Sequence, residues 1–393
     1  MQKIDVTERR ARLGRRHRLA PSVQAANPLE ATEALVVLHA TDQATVHLSA
    51  AARTGAASPE PLEQALYDDR TVLRMLGMRR TVFVVPTSLA PVVHSACAVD
   101  IAAKQRKLLV KHLTEAGVDS AAEWLASVEA STAKALRARG SAVASELADD
   151  EPRLRTRLSM AEGKAYAAQP YVTSRVLFQL AVDGLIVRGR PVGTWLSAQH
   201  RWSPVETWLP DGLDTGLPAE EARAELTRRW LASFGPGTLA DLQWWTGWNG
   251  GQTKKALAAV QAVQVDLPDS GTTGWVLPGD EDPVEPVEPW VAMLPALDPT
   301  PMGWKERDWY LGEHKAQLFD TMGNVGPSIW CDGQIVGGWG QSATGEVRYR
   351  ILTDIGQEAT AAIEAEAARW TTWLDGTRVT PRFRTPLERE LSA

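Results

Sequence analysis

The sequence is short of cysteine and of long apolar runs, and each shortage excludes a class of protein. Cys97 and Cys331 are the two cysteines in 393 residues. They are too few and too far apart for a disulfide framework or a four-cysteine zinc site. No apolar run approaches the ~18 residues that a membrane-spanning helix needs. The arginine-rich N-terminus is not followed by an apolar segment, which excludes a secretory signal. We therefore expect a cytoplasmic protein that does not enter a membrane.

Motifs of common metal sites and nucleophiles are also missing. The sequence contains no His-Glu-x-x-His, no Gly-x-Ser-x-Gly and no phosphate-binding loop. The segment Gly250-Gly251-Gln252-Thr253-Lys254-Lys255 is similar to such a loop, but its glycine spacing is wrong. We interpret it as the start of a recognition helix whose N-terminus and lysines could face a phosphate group. Because the histidines lack metal-ligand spacing, we expect no metal and no cofactor.

The composition and charge are those of an ordinary folded protein. The chain is 44% hydrophobic and 23% charged, with a net charge of −6, which counts mildly against a nucleic-acid partner. Acidic residues gather around 149–151 and 279–288, whereas arginines cluster elsewhere. Because the distribution of charge matters more than its sum, a DNA-binding surface remains open. The length predicts roughly two to four domains.

A helix–helix–hairpin order recurs three times along the chain. Recurrence of one such unit indicates tandem modules, and helices followed by a β-hairpin are the order of a winged helix, a form of helix-turn-helix domain. We predict winged helices over residues 1–118, 119–212 and 213–288, the last with an acidic linker, and a β-rich domain over 289–393. The fold class is mixed α/β of the α+β type, with three tandem winged-helix domains and a small C-terminal β-barrel or α+β domain.

Individual elements follow from periodicity and turn signals. We predict helices over 29–38, 43–53 and 61–76, a strand over 78–86, hairpin strands over 185–188 and 194–197, helices over 219–234, 239–246 and 253–262, hairpin strands over 263–267 and 275–277, strands over 328–331, 334–341 and 346–352, and a helix over 357–374.

The most unusual stretch is Leu38-His39-Ala40-Thr41-Asp42-Gln43, called the polar corner below, which interrupts two apolar helical runs. Asp42 can cap the second helix by accepting a backbone N–H. An extended step at this point aims His39 and Thr41 in the same direction, because alternate residues of extended chain share a face. We therefore expect His39 and Thr41 to share one pocket.

With this order of domains, the sequence resembles the AlkZ-like winged-helix family, whose studied members are DNA glycosylases. The resemblance lies in the polar corner, in Arg79-Arg80-Thr81, in Gly235-Pro236-Gly237-Thr238 with Asp241, and in Val379-Thr380-Pro381-Arg382-Phe383-Arg384-Thr385-Pro386. It implies a protein that binds damaged double-stranded DNA in a cleft between winged helices. It also implies removal of N7-alkylated or bulky purines without a metal and without a covalent nucleophile.

The resemblance also implies which positions are catalytic. Family members carry a Gln–apolar–Gln motif in the first winged helix, sometimes with His in first place or Asp in last, that positions water or stabilises the sugar. The matching residues here are His39-Ala40-Thr41. His39 fits a variant of the motif, whereas Thr41 offers a shorter hydroxyl in place of an amide. Our own hypothesis is that Asp42, if the corner turns it inward, supplies the missing carboxylate.

The candidate catalytic residues are thus His39, Thr41 and Asp42, and the chemistry assigns them roles. N-glycosidic cleavage develops oxocarbenium character on the sugar and needs negative charge near C1′ and an aligned water. Asp42 would hold the charge, and neutral His39 would orient or deprotonate water near its ordinary pKa. An N7-alkylated purine is already a cationic leaving group. The alternative is that Asp42 is only an N-cap and His39 a packed turn histidine.

Basic residues near the resembling segments are candidates for DNA-phosphate contacts. They are Arg79, Arg80, Lys254, Lys255, Arg382 and Arg384. For the last two, a strand that closes onto the β-domain is a rival interpretation. Asp298 and Asp308 form a second carboxylate candidate, for which turn formation is favoured. Most of the sixteen tryptophans are expected to pack between domains.

The predicted function is that of a monomeric, monofunctional DNA glycosylase. Two alternatives stay open. The first is a non-catalytic winged-helix protein that binds DNA, such as a transcriptional regulator. The second is a repeat scaffold with no role in nucleic-acid binding.

Overall fold

The computed structural model describes residues 1–158 and 169–393, and within them the protein combines helices with small antiparallel sheets. The helices are α1 (Val6–Arg16), α2 (Pro28–Ala34), α3 (Gln43–Thr54), α4 (Glu60–Glu63), α5 (Ala90–Val93), α6 (Val99–Glu115), α7 (Ala121–Arg139), α8 (Ala144–Asp150), α9 (Thr173–Val182), α10 (Ala219–Phe234), α11 (Leu239–Thr246), α12 (Gly250–Ala259), α13 (Asp308–Leu311), α14 (Lys315–Leu318), α15 (Gly356–Leu374) and α16 (Pro386–Leu391). The strands are β1 (Leu38–His39), β2 (Val72–Leu76), β3 (Val82–Pro86), β4 (Ile186–Pro191), β5 (His200–Pro204), β6 (Val263–Leu267), β7 (Thr272–Val276), β8 (Val291–Leu294), β9 (Ser328–Cys331), β10 (Gln334–Gln341) and β11 (Val347–Ile351).

The largest sheet draws strands from both of the first two predicted units. Its order is β1-β3-β2-β4-β5, with antiparallel neighbours. Leu38 lies opposite Val84, and Arg74 of β2 lies opposite Arg188 of β4. Strands from either side of residue 118 are therefore part of one sheet. The edge strand β1 carries the polar corner at one end of it.

The helix predicted over 29–38 is too long. α2 ends at Ala34, and Val36 takes a left-handed backbone conformation with φ of +66°. This conformation cannot continue a right-handed helix, so the chain resumes as strand β1. His39 is therefore the last residue of a strand.

The helix predicted over 61–76 is wrong in its second half. The helical turns that begin with α4 end at Asp68, and Val72–Leu76 forms strand β2. A short apolar run does not distinguish a buried strand from a buried helix. The following strand, predicted over 78–86, begins at Val82 because Arg79 and Arg80 form a left-handed turn.

The second hairpin uses a later strand than predicted. The strand predicted over 194–197 is wrong, since β5 begins at His200. Trp195 lies instead in the connecting loop, where its ring contacts those of His47 and Trp373, with centroids 4.9 and 5.7 Å away. The loop thereby links the first sheet to α3 and α15.

The third unit follows its predicted elements. α10, α11 and the β6–β7 hairpin lie where periodicity places them, and α12 begins at Gly250. Thr238 caps α11, because its hydroxyl accepts the Asp241 N–H at 3.1 Å and the Asp241 carboxylate accepts the Thr238 N–H at 2.9 Å. The other Asp241 oxygen accepts the N–H groups of Lys305 and Glu306. Asp241 thus attaches this unit to the C-terminal part of the chain.

The C-terminal region contains a four-stranded antiparallel sheet of order β11-β10-β9-β8. The predicted meander of β9, β10 and β11 and the helix α15 are confirmed, whereas β8 and α16 were not predicted.

The acidic linker is held against α1, since Arg16 pairs with Asp280 at 2.5 Å and Arg12 donates to the Asp282 carbonyl at 2.7 Å. Three tryptophans of the interior, Trp230, Trp330 and Trp370, are fully buried, as packing predicts.

A buried ion pair fixes α3 to the C-terminal region. The side chains of Arg53 and Asp298 are both fully buried and joined by hydrogen bonds of 2.8 and 2.9 Å. Ser49 donates to the same carboxylate at 2.7 Å. Burial alone would raise the pKa of Asp298, but the charge and hydrogen bonds of Arg53 hold it below its ordinary value. Asp298 is therefore structural, and Asp308 begins the short helix α13.

Candidate functional site

The polar corner is an extended step between β1 and α3. The Ala40 N–H donates to the Val82 carbonyl at 2.9 Å, which continues the pairing of β1 with β3 by one residue. The chain then turns, and Asp42 caps α3 by accepting the Ala44 N–H at 3.1 Å. The sequence folds this way because an aspartate in extended conformation satisfies a helix N–H that has no other partner.

His39 is packed into the corner and carries no charge. Its side chain is 8% exposed, and the Phe83 ring meets it edge-on with centroids 5.5 Å apart. Burial, reinforced by the charge of Arg79, lowers the pKa of His39 from 6.5 to about 3. The ordinary pKa expected for His39 is therefore wrong. A neutral imidazole can still orient a water molecule, since one ring nitrogen donates and the other accepts.

Asp42 joins the corner to the C-terminal segment. Its second carboxylate oxygen, Oδ2, accepts the Arg382 N–H at 2.9 Å, and the Arg382 guanidinium reaches the Thr41 carbonyl at 3.4 Å. Asp42 also lines a small cavity with Thr45 and Trp339. Asp42 and Thr41 are half-buried. The carboxylate is thus held in place by two backbone N–H groups.

Arg79 and Arg80 project from the turn between β2 and β3. Both are exposed and both have left-handed backbone conformations, with φ of +52° and +60°. For residues other than glycine this conformation costs free energy and concentrates at functional sites. The Arg79 guanidinium lies 4.1 Å from the centre of the Trp244 ring, and that of Arg307 lies 5.0 Å from it. Arg79 and Arg307 thus share the Trp244 ring, and Arg79 lies close enough to His39 for its charge to lower the pKa of that histidine.

The remaining residues predicted to contact DNA differ in whether their side chains already pair with a carboxylate. Lys255 pairs with Glu220 at 3.3 Å, and Arg384 is held by Glu388 at 2.7 Å. Lys254 is exposed on α12. The structure brings Arg79 and Arg382 next to the corner, whereas Lys254, Lys255 and Arg384 make no contact with it in the described residues. For Arg384, the closing of the tail onto the β-rich region is the better supported interpretation.

Sequence reasoning missed a second group of polar residues beside the corner. Arg74 of β2 donates a hydrogen bond to the Gln43 side-chain oxygen, and Arg188 lies opposite Arg74 in β4. His200 in β5 is close enough for the charges of Arg188 and Arg74 to add to the effect of burial, which lowers its pKa to about 4. An arginine inside the apolar run of residues 72–76 was the available signal.

The described part of the chain gives little support for a metal site or for a cysteine nucleophile. Across residues 1–158 and 169–393, no group of three or more His, Cys, Asp or Glu side chains is placed to hold a metal ion. Burial raises the pKa of the Cys97 thiol to about 12, which makes it a poor nucleophile. The described residues also include no helix long and apolar enough to cross a membrane.

Acid is expected to destabilise the protein below pH 6.5. His17, His39 and His47 are buried, and burial lowers the pKa of each from 6.5 to about 3. Between these values the unfolded chain binds protons that the folded chain does not. Stability is therefore complete above pH 6.5 and falls with pH by about 1.4 kcal/mol per pH unit for each histidine. Thermal midpoints measured from pH 7.5 to 5 check this, and a constant midpoint would contradict it.

Comparison with known proteins places the chain in a family. The sequence profile of the family described as DNA glycosylase AlkZ-like matches residues 32–373. The chain belongs to the AlkZ-like DNA glycosylase family. It therefore belongs to the hydrolases of DNA repair, and its partner is DNA. No curated protein matches the sequence.

A solved structure with a similar fold is the Streptomyces sahachiroi DNA glycosylase AlkZ. The two folds agree with a TM-score of 0.71 over 97% of this chain and 99% of that chain, at 19% sequence identity. The agreement extends over the mixed helical and antiparallel architecture described above.

Proposed function

We propose that the protein hydrolyses the N-glycosidic bond of N7-alkylated or bulky purines in double-stranded DNA, with the reaction centred on His39, Thr41 and Asp42. The observation that carries the proposal is the Asp42 carboxylate. It is half-buried at the corner and held by the N–H groups of Ala44 and Arg382. A fixed negative charge is what a sugar of developing oxocarbenium character requires.

The roles of the three residues follow from their environments. Asp42 stabilises the positive charge that develops at C1′. His39 is neutral because its pKa is lowered to about 3 by burial, so it orients water through a ring nitrogen. The proton that this water loses on bonding to C1′ passes to bulk solvent. Thr41 adds a hydroxyl that both donates and accepts. An N7-alkylated purine leaves as a neutral base without prior protonation, so no general acid is needed.

The domain arrangement that we propose for this reaction is three winged helices over residues 1–118, 119–212 and 213–288, followed by the β-rich region 289–393. DNA lies along the surface that carries Arg79 and Arg382, because these exposed cations flank the corner. The protein acts as a monomer. Lys254 and Lys255 on α12 are proposed as outer phosphate contacts.

Base release from defined duplexes tests the proposal. We expect free base from a duplex with N7-methylguanine and none from an unmodified duplex. Strand breakage is expected only after alkali, which is the mark of a monofunctional enzyme. The same base-release assay on duplexes that contain N3-methyladenine, uracil or 8-oxoguanine then shows which class of lesion the protein removes. Release of uracil or 8-oxoguanine in preference to N7-methylguanine would contradict the assignment.

A non-catalytic DNA-binding protein is the second candidate, and one observation favours it. Both Asp42 oxygens already accept backbone N–H groups, as they would in a purely structural N-cap. In that case duplex binding persists while base release is absent from every alkylated substrate.

DNA affinity is expected to depend steeply on salt. Each phosphate contact lowers the slope of log affinity against log salt concentration by about 0.9. We therefore expect Arg79→Ala and Arg382→Ala each to reduce the slope by about one phosphate contact. Arg348→Ala serves as a control, because Arg348 is exposed and pairs with Glu346 at 3.6 Å. Binding that does not change between low and moderate salt would contradict the DNA surface.

A further inference from the structure

Gln43 and Arg74 form a polar pair at the corner for which the reaction described above has no role. Gln43 is the first residue of α3, and its side-chain oxygen accepts a hydrogen bond from Arg74 Nη1. Arg74 is 4% exposed, and its Nε and Nη2 have no hydrogen-bond partner in the described residues. The Tyr67 phenol lies close to Arg74, whose charge opposes the rise that burial causes in the pKa of the phenol.

The pair determines which end of the Gln43 amide faces outward. A guanidinium has only donors, so the amide atom that faces Arg74 is the oxygen. The amide nitrogen, Nε2, lies at the other end and has no partner among residues 1–158 and 169–393. Gln43 is half-buried, and its Nε2 is not among the enclosed atoms. It therefore presents a hydrogen-bond donor of fixed orientation to solvent, next to Asp42.

The surroundings of this donor are positively charged. Arg188 lies opposite Arg74 across the sheet, and burial, with the charges of Arg74 and Arg382, lowers its pKa to about 10. Within the described chain none of these three guanidinium groups pairs with a carboxylate. The oxygens of Asp42, although near, accept backbone N–H groups. Like charges placed opposite each other across a sheet are destabilising, and the cluster therefore indicates an anionic ligand.

We propose that Gln43 is a DNA-contacting residue whose Nε2–H donates to a non-bridging oxygen of the phosphodiester beside the nucleotide bound at the polar corner. Arg188 and Arg382 balance the charge of that phosphate. The inference deepens the proposed function and rests on it for the placement of DNA at the corner. The base and the sugar are poorer ligands for this cluster. An N7-alkylated purine is cationic and the sugar becomes so in the reaction, and positive groups repel both.

Arg74 is a positioning residue in this account. Its guanidinium is too buried to reach DNA, and it acts by holding the amide oxygen so that Nε2 points outward. A buried charge with incomplete pairing is costly, and an apolar replacement of similar volume is often neutral or stabilising. We therefore expect Arg74→Met to leave the thermal midpoint unchanged or higher.

Equilibrium binding to a duplex with a stable abasic-site analogue tests the Gln43 contact without requiring base release. Gln43→Ala is expected to weaken binding by about 10-fold, as for the loss of a hydrogen bond to a charged group. Gln64→Ala, at an exposed glutamine after α4, is the matched control and is expected to bind as the wild type does. A neutral methylphosphonate is then placed at each linkage that flanks the abasic site. At one linkage it is expected to weaken the wild type several-fold more than Gln43→Ala, in which only the attraction of Arg188 and Arg382 for the phosphate charge is lost.

The role of Arg74 is tested by the same binding assay in two backgrounds. Arg74→Met is expected to weaken the wild type several-fold and to have no further effect on Gln43→Ala, while Arg74→Lys restores part of the loss. An equal loss in both backgrounds, with a lower thermal midpoint, would overturn the positioning role.

The Gln43 contact itself is overturned by wild-type affinity in Gln43→Ala or by methylphosphonate effects that are the same in both proteins. The abasic duplex is bound without any chemical step. Wild-type protein that releases no base but retains the Gln43 coupling would thus contradict the proposed function alone.

Discussion

Replacement of Asp42 by Asn is expected to slow base release by about 100-fold while leaving duplex affinity and thermal stability nearly unchanged. Asn caps helices as well as Asp does, so the start of α3 is retained and only the negative charge is removed. Loss of one fixed group that stabilises transition-state charge typically costs about 10²- to 10³-fold in rate. A single-turnover time course with the protein in excess over an N7-methylguanine duplex measures the chemical step directly.

Asp5→Asn is the matched control for this variant. Asp5 also caps a helix, since it accepts the Glu8 N–H at 2.9 Å at the start of α1. We expect Asp5→Asn to release base at the wild-type rate. His39→Ala is expected to lower base release as well, with duplex affinity nearly intact. If Asp42→Asn lost release, affinity and thermal stability together, the corner would be structural and not catalytic.

Asp298→Asn is expected to lower the free energy of unfolding by about 3–5 kcal/mol, the usual cost of removing one partner from a buried ion pair. The substitution leaves the fully buried Arg53 guanidinium without a counter-charge. Because the pair joins α3 to the C-terminal region, its loss also loosens the helix that Asp42 caps. Urea unfolding followed by tryptophan fluorescence measures the effect.

An exposed ion pair supplies the comparison. Arg350 and Glu390 are 2.7 Å apart, but their side chains are 49% and 58% exposed. Glu390→Gln is therefore expected to change stability by less than about 1 kcal/mol. The double variant Arg53→Met with Asp298→Leu is expected to recover much of the loss, since apolar replacement of both partners is often tolerated. Equal effects of Asp298→Asn and Glu390→Gln would contradict the buried pair.

Local signals in the sequence are sufficient to predict many of the helices and strands in the third unit and in the C-terminal region. Thr238 with Asp241 is a capping box visible in four residues, and it does begin α11. The Asp332-Gly333 turn likewise fixes the β9–β10 hairpin. The N-cap at Asp42 was predicted in the same way. Each of these depends on residues that are neighbours along the chain.

The first sheet was harder to predict, because its strands are stabilised by partners far away in the sequence. Val72–Leu76 is strand and not helix because it pairs with β3 on one side and meets β4 on the other. No periodicity within five residues indicates this. The same holds for β1, two residues long, which exists as a strand only because Val82–Pro86 lies beside it.

The candidate site shows the same limit. The sequence identifies His39 and Asp42 as unusual, but the pKa of His39 depends on burial against Phe83 and on the Arg79 charge. The second bond of Asp42 comes from Arg382, 340 positions away. The role of the Gln43 amide is not visible in the sequence, because its partner Arg74 lies in a segment whose pattern predicts a helix. The properties of the site residues therefore depend on tertiary contacts, which a local sequence pattern does not reveal.

The most direct measurement is the amount of free 7-methylguanine that the wild-type protein releases from a duplex with one N7-methylguanine, compared with spontaneous loss in buffer. We expect release of one base per duplex, well above the spontaneous rate, and an alkali-labile abasic site in its place. A protein that binds this duplex with normal salt dependence yet leaves the base at the spontaneous rate would contradict it.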